Sequence, residues 1–157
     1  MSMSNLNTEN YAIDNYNATP LLTNPNWMMP GEEVNVEGKK AFIIKRGLLG
    51  KILLVPDLSF DEYSALYKSL MSHCADLKKK YKAGRVLFVV KVNTVDDRIM
   101  EHLEGVLALD KGYTSGGSFQ VTFIDSSTKK GYFGGTREPG KTLLYKDTWK
   151  YLLEKIQ

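Results

Sequence analysis

Residues 85–92 read R-V-L-F-V-V-K-V, and this stretch decides how the chain folds. Five consecutive apolar residues, three of them valine, lie between charged residues. Such a run is typical of a strand that is covered on both faces of a sheet. We therefore expect residues 85–92 to form the central strand of the fold.

Two shorter strands and a long helix are predicted upstream of this strand. Residues 41–45, A-F-I-I-K, and 51–55, K-I-L-L-V, are joined by a glycine-containing turn, as in a hairpin. Ser59 and Glu62 then form a capping box, in which each side chain satisfies a free backbone N–H of the other residue. Apolar side chains recur at helical spacing, so a helix is expected over 60–81 with one buried face.

The pattern downstream completes an α+β domain. We expect a single domain over 39–157, in which a mostly antiparallel central sheet is flanked by helices. The remaining predicted elements are a short helix capped by Asp96, strands at 105–109, 118–124 and 132–134, and a final helix from about Leu144.

Composition excludes several classes of protein. The chain has 157 residues, 43% of them apolar, and no run approaches the ~20 apolar residues of a membrane span. Cys74 is the one cysteine, and His73 and His102 are the two histidines. This excludes an internal disulfide and leaves no ligand spacing for zinc. We expect a soluble, cytoplasmic protein with no metal and no cofactor.

Charge divides the chain into two parts. Residues 1–38 contain five carboxylates and no Lys or Arg, whereas residues 39–157 contain 21 basic and 13 acidic side chains. The first segment is rich in Asn, and prolines at 20, 25 and 30 interrupt any helix. We expect 1–38 to be a flexible acidic extension, which by its charge could fold back over the basic body.

Catalytic signals are weak. Residues Gly135–Thr142 satisfy the phosphate-loop pattern G-x-x-x-x-G-K-[ST], which leaves a phosphate- or nucleotide-binding domain as an alternative. A proline lies inside the pattern, and only a short strand precedes it. Both histidines and the Asp96-Asp97 pair have structural explanations, so we expect a protein without enzymatic activity.

A run of lysines at the end of the long helix favours contact with anions. Lysines near a helix C-terminus interact with the helix dipole, and here they can also meet phosphate or lipid headgroups by charge. No base-stacking pattern of aromatic residues accompanies them, so nucleic acid is not expected. The predicted anionic-lipid or phosphate set is Lys78, Lys79, Lys80, Lys82 and Lys141.

Three stretches resemble profilins, which are small actin-monomer-binding proteins. They are L-D-K-G-Y-T-S-G-G at 109–117, S-F-Q-V-T-F at 118–123 and K-I-L-L-V-P at 51–56. The resemblance implies a profilin-like fold and regulation of actin polymerisation. It also implies binding of phosphoinositide headgroups and proline-rich segments. An unrelated adaptor of the same α+β class stays a further alternative.

The resemblance also implies two sets of site residues. Where profilins have a Trp in the second strand this chain has Ile52, so rings for a proline-rich ligand would come from other positions. The actin-facing set is Arg98, Lys111, Tyr113, Lys146, Trp149 and Lys150. The proline-binding set is Tyr11, Tyr16, Trp27 and Tyr151.

Overall fold

The central strand forms where the sequence predicts it. Arg85–Val92 is β5, the fourth of seven strands in one sheet. The computed structural model of the chain describes residues 11–23, 31–45, 51–103, 119–136 and 150–154. Val86 to Val90 are all buried, because alternate side chains pack into clusters on the two faces of the sheet.

The sheet is mixed. Its order is β1-β7-β6-β5-β4-β3-β2, and only the β4–β5 and β5–β6 pairs are parallel. The sheet is thus mostly antiparallel, as expected, within a single α+β domain, but its three central strands are parallel. The other strands are β1 Tyr11–Asn17, β2 Glu32–Val36, β3 Lys39–Lys45, β4 Lys51–Ser59, β6 Phe119–Asp125 and β7 Lys130–Thr136.

The helix predicted over 60–81 is two helices. The capping box that begins it is confirmed: the Glu62 N–H donates to Ser59 Oγ at 3.1 Å, and the Ser59 N–H donates to Glu62 Oε1 at 3.0 Å. The first helix ends because the N–H and the hydroxyl of Ser69 both donate to the Leu66 carbonyl. The helical segments are α1 Thr19–Thr23, α2 Phe60–Tyr67, α3 Leu70–Tyr81, α4 residues 97–103 and α5 residues 150–154.

Helices cover both faces of the sheet. The first face carries α2, α3 and α4, which pack through residues such as Tyr63, Leu77 and Leu103. The second face carries α1 and α5, which pack through Leu21 and Leu152. The described helices of both crossovers between parallel strands, α2 and α3 in the first and α4 in the second, therefore lie on the first face.

The described parts of residues 1–38 belong to the folded domain, as two strands of the sheet and helix α1. β1 pairs with β7 and β2 pairs with β3, so both edge strands come from this segment. The expected boundary after residue 38 falls in the β2–β3 turn, where Glu37 and Gly38 have φ of 51° and 84°. The expectation of a separate flexible extension is therefore wrong for these parts. Removing 1–38 would remove two strands of the sheet.

Candidate functional site

The three parallel strands end at one edge of the sheet, which we call the carboxyl edge. In open α/β sheets this is the usual place for a ligand. Here Asp125, at the end of β6 and 3% exposed, already accepts four hydrogen bonds. They come from the N–H groups of Val95, Ser127 and Thr128 at 2.9–3.0 Å and from the Ser127 hydroxyl at 2.6 Å.

The Asp125 carboxylate is a structural group. Burial by itself would raise its pKa, but the hydrogen bonds from Ser127, Val95 and Thr128 outweigh burial and lower the pKa to about 2. The carboxylate ties the chain after β5 to the turn after β6, and its oxygens are already engaged.

Other charged side chains at the carboxyl edge are paired with each other. Lys91 Nζ lies 3.2 Å from Asp57 Oδ1, and Lys39 Nζ lies 2.7 Å from Glu62 Oε2. The hydrogen bond between Lys39 and Glu62 raises the pKa of the lysine and lowers that of the glutamate. Asp57 has a φ of 65° at a bulge in β4, which sets its backbone apart from the regular ladder.

An aromatic cluster lies on the first face near the same edge. His102 Nε2 is 3.0 Å from the Tyr63 hydroxyl, and Phe60 and Phe123 lie against both rings. Burial lowers the pKa of His102, which favours its neutral form. The cluster packs helices α2 and α4 against the end of β6.

The described residues form neither a metal centre nor a membrane-spanning helix. Across the described ranges, His, Cys, Asp and Glu form no group of three that could bind a metal ion. No helix in the described ranges has both the length and the apolar character needed to cross a membrane.

The opposite edge, where the parallel strands begin, is the amino edge. β3 runs antiparallel to β4 and ends there, and α3 ends there because β5 follows at once. Cations gather at these ends from three parts of the chain. We call the set the basic pole, and its members are Lys45, Lys51, Lys78, Lys79, Lys80, Lys82 and Arg85.

Backbone hydrogen bonds hold the parts of the basic pole together. The Gly84 N–H donates to the Lys51 carbonyl at 2.9 Å, which fixes the end of α3 to the start of β4. Lys82 takes the left-handed conformation (φ 53°) that ends the helix, and its N–H donates to the Lys78 carbonyl. The Ala83 N–H donates to the same carbonyl at 3.0 Å. The cations are therefore adjacent through the fold and not only through the sequence.

Charge in the basic pole is uncompensated among the described residues. None of its seven cations has a described carboxylate within 4 Å, whereas the four lysine or arginine ion pairs found in the described ranges use other cations. Carboxylates are present on the same or neighbouring elements, at Glu32, Asp76 and Glu154, and they stand exposed without pairing to the pole. The amino edge thus has charge available for a ligand.

The structure extends the predicted anion-binding set. Lys78, Lys79, Lys80 and Lys82 lie in the basic pole, and Lys141 lies outside the described residues. Sequence reasoning missed Lys45, Lys51 and Arg85. The available signal was their position at the ends of three apolar strand runs, but only the strand order brings these ends to the end of α3.

The residues of the actin-facing set are not brought together where they are described. Arg98 lies on α4, on the first face at the carboxyl edge, and Lys150 lies on α5, on the second face. Actin binding was implied by the profilin resemblance and stays an untested prediction. The other four residues, Lys111, Tyr113, Lys146 and Trp149, lie outside the described residues.

Two residues of the proline-binding set pack against the second face. The Tyr16 hydroxyl is 3.1 Å from Thr122 Oγ1, and burial raises the pKa of Tyr16. The Tyr151 hydroxyl donates to the Lys45 carbonyl at 3.2 Å. Each ring is thus anchored by its hydroxyl. Trp27 and the side chain of Tyr11 lie outside the described part of the structure.

The phosphate-loop pattern begins in an unfavourable place. Gly135 and Thr136 are the last residues of β7, where they pair with β1. β7 is antiparallel to both of its neighbours, whereas a phosphate loop follows a buried parallel strand. The rest of the pattern, 137–142, lies outside the described residues.

Fold and site together define a single-domain α+β protein with a mixed sheet and a basic pole at its amino edge. No family model matches the chain, and the curated proteins contain no match. Among solved structures, the chain is similar to an XisH family protein from Nostoc punctiforme PCC 73102. The TM-score is 0.40 and the identity 11%, over 71% of this chain and 90% of that chain. A similarity this low assigns no fold family.

The resemblance to profilins is wrong. Neither the family models nor the curated proteins give any support for it. The stretch 118–123, which carried much of the resemblance, lies largely in β6, and β6 pairs in parallel with β5. Short V-T-F patterns predict strands in many folds, and they do not specify which neighbour a strand takes.

Proposed function

We propose that this protein is a non-enzymatic, peripheral binder of anionic phospholipid surfaces and that the basic pole is the contact surface. The observation that carries the proposal is the gathering of seven cations, without described acidic partners, at one end of the sheet. A cation near an anionic leaflet contributes about 1 kcal/mol. A few such contacts support reversible binding.

The chemistry of the pole favours a lipid surface over nucleic acid. Six of the seven cations are lysines, which act as point charges. Only the seventh, Arg85, has the planar guanidinium group that makes paired hydrogen bonds to bases or phosphates. The one exposed large apolar side chain among the described residues, Phe60, lies at the start of α2, on the carboxyl side of the sheet. Base stacking, on which single-stranded nucleic acid binding relies, needs an exposed ring. Tyr81, between Lys80 and Lys82, is half-buried, and its hydroxyl donates to the Asn35 carbonyl at 3.0 Å.

Vesicle co-sedimentation tests the proposal. We expect the protein to sediment with vesicles of equimolar phosphatidylcholine and phosphatidylserine and to stay in solution with phosphatidylcholine alone. Binding should fall steeply as sodium chloride is raised, because exposed charges are screened within about 10 Å at 0.1 M salt. Equal sedimentation with both vesicle types, or binding that salt does not weaken, would contradict the proposal.

A competition experiment distinguishes binding to lipid from binding to nucleic acid. Short duplex DNA and single-stranded RNA, at the same phosphate concentration as the vesicles, should displace little protein from the anionic vesicles. Complete displacement by either polymer, together with tight binding in a gel-shift assay, would assign the basic pole to nucleic acid instead.

A further inference from the structure

One pair of lysines in the basic pole carries a repulsion that the described residues do not relieve. Lys45 and Lys51 are directly opposite each other in the last pair of the β3–β4 ladder. Opposite residues place their Cβ atoms about 5 Å apart, and like charges there destabilise a sheet. Neither lysine has a described carboxylate within 4 Å.

Both lysines lie on the face that carries the end of α3. Ile43 precedes Lys45 by two residues and Leu53 follows Lys51 by two, and both pack in the first-face cluster. Because side chains alternate along a strand, Lys45 and Lys51 share that face. Ala83, directly after the helix, packs in the same cluster.

A third cation comes to the pair from the helix end. The Gly84 N–H is bonded to the Lys51 carbonyl at 2.9 Å, and Lys82 lies two residues before Gly84. Two residues of extended chain span at most about 7 Å. The four methylene groups of a lysine side chain cover a comparable distance, so three ammonium groups can converge on one anion.

We propose that Lys45, Lys51 and Lys82 form a subsite for one phosphate monoester. Three ammonium groups match the charge of about −2 and the three acceptor oxygens of such a group. A bound phosphate also removes the repulsion between Lys45 and Lys51. The subsite rests on the proposed function and deepens it: among anionic lipids, the protein prefers headgroups that end in a phosphate monoester.

Thermal melting tests the subsite without vesicles. Sodium phosphate is compared with sodium chloride at equal ionic strength, for the wild type, Lys45→Glu and, as a remote control, Lys130→Gln. We expect phosphate to raise the melting temperature of the wild type and Lys130→Gln more than that of Lys45→Glu, because binding to the native state stabilises it. Phosphate also stabilises proteins by exclusion from their surfaces, and that effect is common to all three proteins.

The same experiment has an internal check in chloride. Lys45→Glu places opposite charges across the ladder and should melt at a higher temperature than the wild type. A second variant, Lys51→Gln, should also lose the additional stabilisation by phosphate. If phosphate raises the melting temperature of all the proteins equally, the subsite is wrong, whatever the result of the vesicle experiments.

Vesicles then distinguish lipid-borne from free phosphate. The wild type should bind vesicles of phosphatidylcholine with phosphatidic acid more tightly than vesicles with phosphatidylserine, and Lys45→Glu should lose this preference. If the wild type binds no vesicles but phosphate raises the melting temperature of the wild type and Lys130→Gln more than that of Lys45→Glu, the membrane function is wrong and the subsite stands for free phosphate. If the wild type binds both kinds of anionic vesicle equally well, and phosphate raises the melting temperature of Lys45→Glu as much as that of the wild type, the subsite is wrong and the membrane function stands.

Discussion

Replacing Lys78, Lys79 and Lys80 together with glutamine is expected to lower the partition of the protein onto phosphatidylserine vesicles by about two orders of magnitude. Each lysine near an anionic surface contributes about 1 kcal/mol, so three contribute about 3 kcal/mol. Lys79 and Lys80 are exposed and Lys78 is half-buried, and none of them has an acidic partner in the described structure. Vesicle co-sedimentation over a range of lipid concentrations gives the partition coefficient.

A control variant with the same change in charge makes this test specific to the basic pole. Lys40, Arg98 and Lys130 lie toward the carboxyl edge, and replacing all three with glutamine lowers the net charge equally. We expect their replacement to change the partition coefficient by less than about threefold, since they lie at the other end of the sheet. Equal losses in the two triple variants would show that net charge, and not the basic pole, determines binding.

Asp125→Ala is expected to destabilise the fold by about 3 kcal/mol. The side chain is buried and accepts four hydrogen bonds, and its removal leaves the Val95, Ser127 and Thr128 N–H groups without that acceptor. Hydrogen bonds to a charged group contribute about 1.5–3 kcal/mol each, and solvent that enters the site offsets part of the loss. Urea unfolding, followed by circular dichroism, measures the difference.

The pH dependence of this effect has a defined sign. The pKa of Asp125 is lowered to about 2 in the folded protein, so its ionised form stabilises the native state. That stabilisation is complete above the ordinary aspartate pKa of about 4 and is lost as the pH falls through about 2. The wild type should therefore lose stability more steeply than Asp125→Asn between these pH values. Parallel pH profiles would contradict the structural role of the carboxylate.

The sequence predicted those elements whose signal is local. The apolar run of β5, the β3–β4 hairpin and the capping box of Ser59 and Glu62 each depend on neighbouring residues, and all three are confirmed. Asp96 also caps the helix that follows it, since the Ile99 N–H donates to its Oδ1 at 3.1 Å.

Elements that depend on distant partners were missed. β2 alternates polar and apolar residues only over its last four positions, and β1 does not alternate, so the prolines and asparagines around them predict irregular structure. Each forms a strand because its backbone pairs with a neighbouring strand, β1 with β7 and β2 with β3. The parallel pairing of β5 with β6 depends in the same way on a crossover of more than twenty residues, whose length alone permits either direction.

The candidate site was only partly predicted, because some of its residues are adjacent in sequence and others come together only through the strand pairing. Four lysines at the end of α3 are adjacent in sequence, and their charge is visible there. Lys45 and Lys51 become part of the surface only through the β3–β4 register, and Lys51 meets the helix end only through the Gly84 hydrogen bond. Sequence patterns contain no information on which strand ends share an edge of the sheet.

Lysine labelling on vesicles tests the central claim most directly. An amine-reactive acetylating reagent is added to the wild type with and without phosphatidylserine vesicles, and mass spectrometry gives the labelling rate of each lysine. We predict slower labelling of Lys45, Lys51, Lys79, Lys80 and Lys82 on vesicles and unchanged labelling of Lys129 and Lys130 at the carboxyl edge. Protection of Lys129 and Lys130, with the lysines of the basic pole labelled at their solution rates, would contradict the account.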